Sequence, residues 1–552
     1  MTAFNWTVSK LVAQLARRPG DEVVYSFHRA DGSVAKSTVN ILVQRILAVM
    51  TKARSCNEEQ PVVALFMENS AEFPAILLGL MAAGAVTVPI NPNTNPADVR
   101  YIVTSSGVKY IIVGTSSPTF AIDSLGPGVE ISTAESWVEG GPGTLNIADM
   151  PDVAGTQPSL IIHTSGTTSK PKGAVLPQGS LLDNGQLIAN HFNFSRSNQL
   201  TTLPLYHVHA LTFGLFSSLT TGGQLHVLES FKPQQWRELV TREKIDWTSI
   251  VPSLLPLLRM TGVSREVAPT LKGVFVSSAP LNEKAAGLFE KHSGIPLIQA
   301  YGMTECTCWA TCCTLQHWRD EFQDQRRSIG HALPGVDMKI LGPDDEELGE
   351  GATGEIVIGG KYLMLEYLNL PAVTAATLST RGLRSGDLGF YKLIHGTRYY
   401  FIAGRNKEVI IKNADKFSPS AIEDEIYQSF PDVAGYVAIV GYPHDLTGED
   451  IGLCIDTRLF AATTTNKDSF TAFIQAMHAS IRPSVVILKN SPIEKTFTGK
   501  IQRAKMRDLF SPFSKFMGGP QFVDAPDWES RGLVGVKGAL TRADRQWRGQ
   551  VV

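Results

Sequence analysis

Short apolar runs alternate with amphipathic segments over the first four hundred residues. The runs at 61–66, 109–114, 159–162, 272–276 and 296–300 have the length and β-branched content of buried strands. Residues 71–83 read as helix and 85–88 as the strand that follows it. Repeated strand–helix units predict α/β architecture with parallel sheets. After about residue 335 the pattern changes. Segments 337–340, 355–358 and 398–402 are short strands between Gly, Pro and Asp turns, which predicts a small β-rich subdomain. From 405 the chain reads strand, helix (421–429), strand (435–440), helix (469–480) and strand (484–489), a compact α+β unit. The predicted organisation is a large layered N-terminal domain over 1–406, a small C-terminal domain over 407–510, and an extended tail over 511–552.

The longest apolar stretch, 73–90, contains Pro74, Gly79, Gly84 and Pro89. It reads as a buried helix followed by a strand and not as a membrane span. Hydrophobic residues make up 43% of the 552, charged residues 18%, and the formal net charge is −2. That is a globular composition, with no electrostatic reason to expect a nucleic-acid partner. Residues 1–20 carry Lys10, Arg17 and Arg18 where a signal peptide needs an apolar core. The chain ends Gly549-Gln550-Val551-Val552, not in a peroxisomal tripeptide. Four of the 6 cysteines crowd at Cys306, Cys308, Cys312 and Cys313. A disulfide framework would spread them, so a reducing cytoplasmic location is expected. Their spacing lacks zinc-binding pairs.

The most distinctive segment is His163-Thr164-Ser165-Gly166-Thr167-Thr168-Ser169-Lys170-Pro171-Lys172-Gly173. Hydroxyls and backbone N–H groups on a glycine-bearing loop wrap polyphosphates, and lysines supply charge. It is not the common phosphate loop, because no Ser or Thr follows Lys172. Tyr301-Gly302-Met303-Thr304-Glu305 follows a strand and supplies an aromatic face, a hydroxyl and a carboxylate suited to a base, a phosphate and magnesium. Ser385-Gly386-Asp387 offers a turn carboxylate for ribose hydroxyls. Gly404-Arg405-Asn406-Lys407 lies at the expected domain junction. Ser418-Pro419 reads as an N-cap with proline in the first turn. Thr498-Gly499-Lys500 places a lysine on a glycine turn.

In this order and spacing the motifs resemble the adenylate-forming superfamily, over residues 30 to 508. The segment Pro204-Leu205-Tyr206-His207-Val208-His209 looks most like its acyl-CoA synthetase branch. The resemblance implies that a carboxylate attacks the α-phosphate of ATP to give acyl-AMP and pyrophosphate. Coenzyme A then displaces AMP. An alternative acceptor is a carrier-protein thiol or an amine. It further implies that Thr164, Ser165, Gly166, Thr167, Thr168 and Lys172 hold the β- and γ-phosphates, and that Glu305 and Thr304, with Thr164, hold Mg2+ and the α-phosphate. Ser278, Ala279 and Tyr301 would form the adenine site, with Asp387 and Arg405 on the ribose. Lys500 would bridge the attacking carboxylate and the α-phosphate, where one preorganised charge is worth on the order of 10²–10³ in rate. Lys407 falls at the pivot of a C-terminal domain that swings between the two steps. His207, Ser277, Gly302, Met303 and Cys306 would line the acyl pocket, and Asn413, Ala414 and Lys416 the coenzyme A tunnel.

The chain departs from the family pattern in three places. Ser169 stands in the phosphate loop where glycine is usual. Ser277-Ser278 stand where glycines are frequent, which predicts a narrower or more polar pocket. Ala414 replaces a glycine beside the pantetheine path. His209, Trp309 and Trp318 read as packing residues. No arginine lies between Glu305 and Gln316 to pair a second carboxylate. Together with Cys306, Cys308, Trp309 and Ala310, this predicts an apolar pocket for an aliphatic or aromatic monocarboxylate.

Overall fold

A computed structural model describes residues 4–56, 58–114, 125, 128–139, 146–164, 170–279, 281, 283–315, 322–323, 326–413, 415–496, 499–516 and 518–524. The chain divides into two compact units, Met1–Ile402 and Ala403–Val552. The division falls within the strand Thr397–Arg405, a few residues before the junction expected at 406.

The large unit is built on three large sheets, beside a two-stranded one formed by Phe322–Gln323 and Arg326–Arg327. In the nine-stranded sheet, Leu297–Tyr301, Gly273–Val276, Trp247–Ile250, Asn198–Thr201, Gln224–Leu228 and Val23–His28 lie side by side and run parallel. The seven-stranded sheet has parallel strands Pro158–Thr164, Val86–Ile90, Val62–Phe66, Tyr110–Val113 and Glu130–Thr133. The hairpin strand Lys172–Pro177 and the short Glu366–Tyr367 extend it antiparallel. The helix Phe73–Ala82 is buried at every one of its ten residues. A helix apolar all round can only sit inside a core, and its mean hydropathy reflects that. No helix among the described residues is long and apolar enough to cross a membrane.

The third sheet is the β-rich subdomain, with Val336–Leu341, Gly354–Gly360 and Gly382–Ile394 antiparallel. Here the structure corrects one reading. Asp387 is not on a turn between strands but inside the thirteen-residue strand Gly382–Ile394. The ladder slips at Glu355/Val357, opposite Gly386, which has φ 73°. A bulge re-aims side chains within a strand, so the local Ser-Gly-Asp chemistry was legible but its context was not.

The small unit has a six-stranded sheet that includes Val437–His444, Gly448–Asp456 and Val485–Lys489. The helices Pro419–Ser429 and Lys467–Ala476 cover it through Ile422, Ile426, Phe470 and Ile474. Ser418 does precede Pro419, but its hydroxyl meets Ser420 Oγ at 2.9 Å and makes no cap bond to the helix. The stretch expected as an extended tail is partly folded. Within it, Gln521–Asp524 forms a strand parallel to Val485–Lys489. The Phe-Val pair in that strand supplies enough apolar surface to join the sheet, a signal too short to stand out in a Gly- and Pro-rich stretch.

Candidate active site

The phosphate-loop residues Ser165, Gly166, Thr167 and Thr168 lie outside the described residues, but both shoulders of the loop are placed. Thr164 ends one strand of a hairpin and pairs with Lys172, which begins the other. Thr164 Oγ1 donates to the Lys172 carbonyl at 3.4 Å. The ammonium of Lys172 sits 5.1 Å from the centre of the Tyr367 ring, and the hydroxyl of Tyr367 donates to Glu305 Oε1 at 2.6 Å. Tyr367 reaches this point because its strand pairs with the hairpin strand, Tyr367 opposite Ala174. A cation over a ring and a carboxylate at the hydroxyl polarise the same phenol. Burial and the Glu305 charge push the Tyr367 hydroxyl far above its usual range, so it remains a donor.

Glu305 is 5% exposed, on the one-turn helix Thr304–Cys306. Its backbone carbonyl accepts from Met364 N at 2.8 Å, tying the turn to the segment that carries Tyr367. Beyond it the chain bends hard: Thr307 has φ 63° and Cys308 φ 137°. A β-branched residue in the left-handed region costs of order 1–3 kcal/mol and persists only if its surroundings enforce it. Here Thr307 Oγ1 donates to the Tyr362 carbonyl at 2.6 Å and contacts Ser180 Oγ. The bend folds the segment back onto Gly302, where a side chain has no room. A Cβ there would lie 1.7 Å from the Cys308 carbonyl oxygen.

Tyr301 and Asp387 meet across two sheets, with the phenol donating to Asp387 Oδ2 at 2.8 Å. Both are nearly buried, and burial first, then the Asp387 charge, raises the Tyr301 hydroxyl well above its usual range. Ser385 Oγ accepts from Asp387 N at 3.0 Å and steadies the carboxylate. Ser278 has φ 76°. This strained conformation accounts for the glycine expected at that position. Ser277 is buried, and its hydroxyl lies 2.8 Å from His209 Nδ1. His207 and His209 lie just before and at the start of an unusual π-helical segment, Ala210–Phe216. Burial pushes both imidazoles down, His207 to about 4 and His209 to about 3, so both are neutral at pH 7. Cys306 is buried and donates to the Met303 carbonyl at 3.3 Å, and burial pushes its thiol up to about 12. Ala279 follows Ser278 and is half-buried.

The structure thus brings Thr164, Lys172 and Glu305 together, and separately Tyr301 with Asp387. Sequence reasoning missed Tyr367, which contacts both Lys172 and Glu305. Nothing in the local Leu-Glu-Tyr-Leu run distinguishes it from an ordinary strand aromatic. In the small unit, Lys500 follows Gly499 on a turn closed by Thr496 N to the Lys500 carbonyl, 2.7 Å. Lys500 N donates to Thr496 Oγ1 at 3.0 Å. Arg405 ends its strand, and Lys407 lies on the one-turn helix Asn406–Glu408. Asn413, with φ 54°, donates its N–H to the Thr447 carbonyl at 2.9 Å, and Lys416 is exposed on the strand Asp415–Phe417. Ala414 lies outside the described residues.

Residues 11–368 match the AMP-binding enzyme family. A sulfoacetate–CoA ligase from Cupriavidus necator is 30% identical over 398 residues, covering 70% of this chain and 76% of the relative. A long-chain-fatty-acid–CoA ligase, FadD13 of Mycobacterium tuberculosis, is 27% identical over 492 residues, 87% of this chain and 94% of that protein. Among solved structures, ATP-bound MatB from Rhodopseudomonas palustris superposes with a TM-score of 0.78 at 24% identity, covering 92% of this chain and all of that one, and so attests the fold. The chain belongs to the AMP-binding enzyme family. The resemblance drawn from the motifs and the α/β architecture drawn from the hydrophobic pattern are both borne out, and with them the assignment as a ligase.

Proposed function

We infer that the protein is an AMP-forming acyl-CoA synthetase, which activates a carboxylic acid with ATP and transfers the acyl group to coenzyme A. The observation that carries this reading is the convergence of Thr164, Lys172, Tyr367 and Glu305 beside the hydroxyl-rich loop. A carboxylate attacking a triphosphate is anion meeting anion, so a fixed cation and a metal-binding carboxylate are what the step requires.

Lys172 and the Thr164 hydroxyl face the β- and γ-phosphates and hold pyrophosphate as it departs. Mg2+ fits this set. Magnesium binds through one or two carboxylates plus phosphates and waters. Glu305 offers Oε2, which has no hydrogen-bond partner among the described residues, while Oε1 is held by Tyr367. Asp387, oriented by Tyr301 and Ser385, accepts from the ribose hydroxyls, with Arg405 beside the ribose. Thr304 contacts the α-phosphate. Lys500 neutralises the attacking carboxylate and the α-phosphate together, and Lys407 is the pivot that exchanges this arrangement for one presenting 413–416 to the thiol. The neutral His207 lines the acyl pocket, as do Gly302 and Met303. Six cysteines without disulfide partners support a reducing, cytoplasmic setting.

The test is AMP and thioester formation by the purified protein with ATP, Mg2+, coenzyme A and a panel of carboxylic acids. The expected result is acyl-CoA and AMP in equal amounts. Adenylate without thioester would move the acceptor to a carrier-protein thiol or an amine. Carboxylate-dependent ATP–pyrophosphate exchange that survives Lys500→Ala would refute the role of that lysine.

A further inference from the structure

Four segments meet around Trp309, and they leave three polar atoms stranded. Asn184, on the helix Gln178–His191, is fully buried; its Nδ2 donates to the Trp309 carbonyl at 3.2 Å, and its Oδ1 has no partner. The donated bond fixes which end of the amide is which. Trp309 is 2% exposed and its Nε1–H has no acceptor. His209 packs against the indole, ring centres 5.2 Å apart and nearly perpendicular. Its Nδ1 is taken by Ser277, and its Nε2 has no partner. Buried polar groups are almost always satisfied, and each one left open costs about 1–3 kcal/mol. Here three such atoms lie on neighbouring residues, Asn184 held to the Trp309 backbone and His209 packed on the Trp309 ring.

The surroundings are otherwise dry. Phe213 and Phe275 pack on the indole with centres 5.7 and 5.2 Å away. Phe213 belongs to the π-helical segment, a distortion that recurs at functional sites. Ser277, which holds His209 Nδ1, is itself one of the residues proposed to line the acyl pocket. Ser277 neighbours Ser278, and Trp309 lies four residues beyond Glu305.

Asn184 Oδ1 can only accept, Trp309 Nε1 can only donate, and His209 Nε2 does either according to its tautomer. A second carboxylate does not suit this set, since it would face the Asn184 oxygen with no cation to pair it. A plain alkyl chain would leave all three atoms open. A neutral group that both donates and accepts satisfies them.

We propose that Asn184, His209 and Trp309 form the floor of the acyl pocket and select a monocarboxylic acid whose far end carries a hydroxyl or carboxamide. This rests on the reading of the protein as an acid-activating ligase, and it refines the apolar pocket expected from Cys306, Cys308, Trp309 and Ala310 to one that is polar at its end.

The experiment uses straight-chain acids of increasing length, each beside its ω-hydroxy, ω-carboxamide and dicarboxylate counterpart. Binding to the intact protein is read by intrinsic tryptophan fluorescence, and activation by ATP–pyrophosphate exchange. At one length, the hydroxy or amide acid should exceed its alkyl counterpart in kcat/KM by about 100-fold or more, because a site built for a polar group rejects an analogue lacking it. Asn184→Leu and, as a gentler change that keeps the ring, Trp309→Phe should each reduce that ratio by about tenfold. Equal or better use of the alkyl acids, a preference for the dicarboxylate, or a ratio unmoved by both variants would overturn the proposal. So would a crystal structure with acyl-adenylate bound in which ordered water still occupies all three atoms. Selective binding without pyrophosphate exchange would leave the floor standing and sink the ligase reading instead.

Discussion

Two buried polar clusters, one in each unit, are built to opposite plans. Around Trp309 in the large unit, three polar atoms lack partners. Around Arg503 in the small unit, all three guanidinium nitrogens have partners. Its Nε donates to the Ile439 carbonyl at 3.0 Å, its Nη1 to Glu408 at 3.1 Å, and its Nη2 to both oxygens of Glu423 at 2.7 and 2.6 Å. Glu423 also accepts from Ile439 N at 2.8 Å. A closed network of this kind holds structure together, whereas an open one has capacity left for something that arrives. Arg503 lies three residues after Lys500, and Glu408 is next to Lys407. The closed network therefore anchors both the lysine turn and the proposed pivot to one domain core.

The sharpest way to break this contrast is to open the closed cluster. Arg503→Met leaves the buried Glu423 and the half-buried Glu408 without this cation and should cost about 3–5 kcal/mol, read as early urea unfolding and proteolysis of the small unit. A loss under about 1 kcal/mol would show the network to be ornamental. Asn184→Leu, the matching change in the open cluster, removes the open Oδ1 together with one bond to the Trp309 carbonyl and should cost only about 1 kcal/mol in the same urea assay.

Next in size is Glu305→Gln, expected to lower adenylation by about 10²-fold with the fold intact. Retention of full exchange activity would detach Glu305 from the chemistry.

Acid separates the units by a third route. In the large unit His28 and His226 stack with Nε2 and Nδ1 3.0 Å apart, and burial holds both near 4; Glu243, Arg242 and Lys36 are the charges that act on them. A histidine depressed in the folded state binds fewer protons there than when unfolded. Its contribution to stability is complete above pH 6.5 and shrinks as the pH falls towards 4, by up to about 1.4 kcal/mol per pH unit for each ring. The large unit should therefore lose urea resistance between pH 7 and 5, and the double substitution His28→Phe, His226→Phe should flatten that slope. An unchanged slope would mean that other groups carry the acid sensitivity. The smallest effect is Ser278→Gly, which removes a left-handed serine and should gain about 1 kcal/mol while adenylation is retained.

What the sequence disclosed follows from how each residue works. Tyr301 and Lys172 sit at the ends of strands and Glu305 on the short turn just after one, and all three announce themselves because short runs of unusual chemistry interrupt apolar patterns there. Tyr367 and Asn184 do not, because their partners lie 62 and 125 residues away and are reached only through sheet pairing and helix packing. Trp309 read as packing, and its ring does pack; the open N–H on its edge becomes visible only when its neighbours are in place. Asp387 is legible by type but not by context, since a bulge within a strand has the composition of a turn.

Gly302 shows where this enzyme can change and where it cannot. With the Cys308 carbonyl occupying the space of a side chain, position 302 admits no volume at all. Selection for new substrates in the laboratory will then find its variation at 184, 209 and 309, where one polar edge can be traded for another. It should return glycine at 302 every time, whichever acid is demanded.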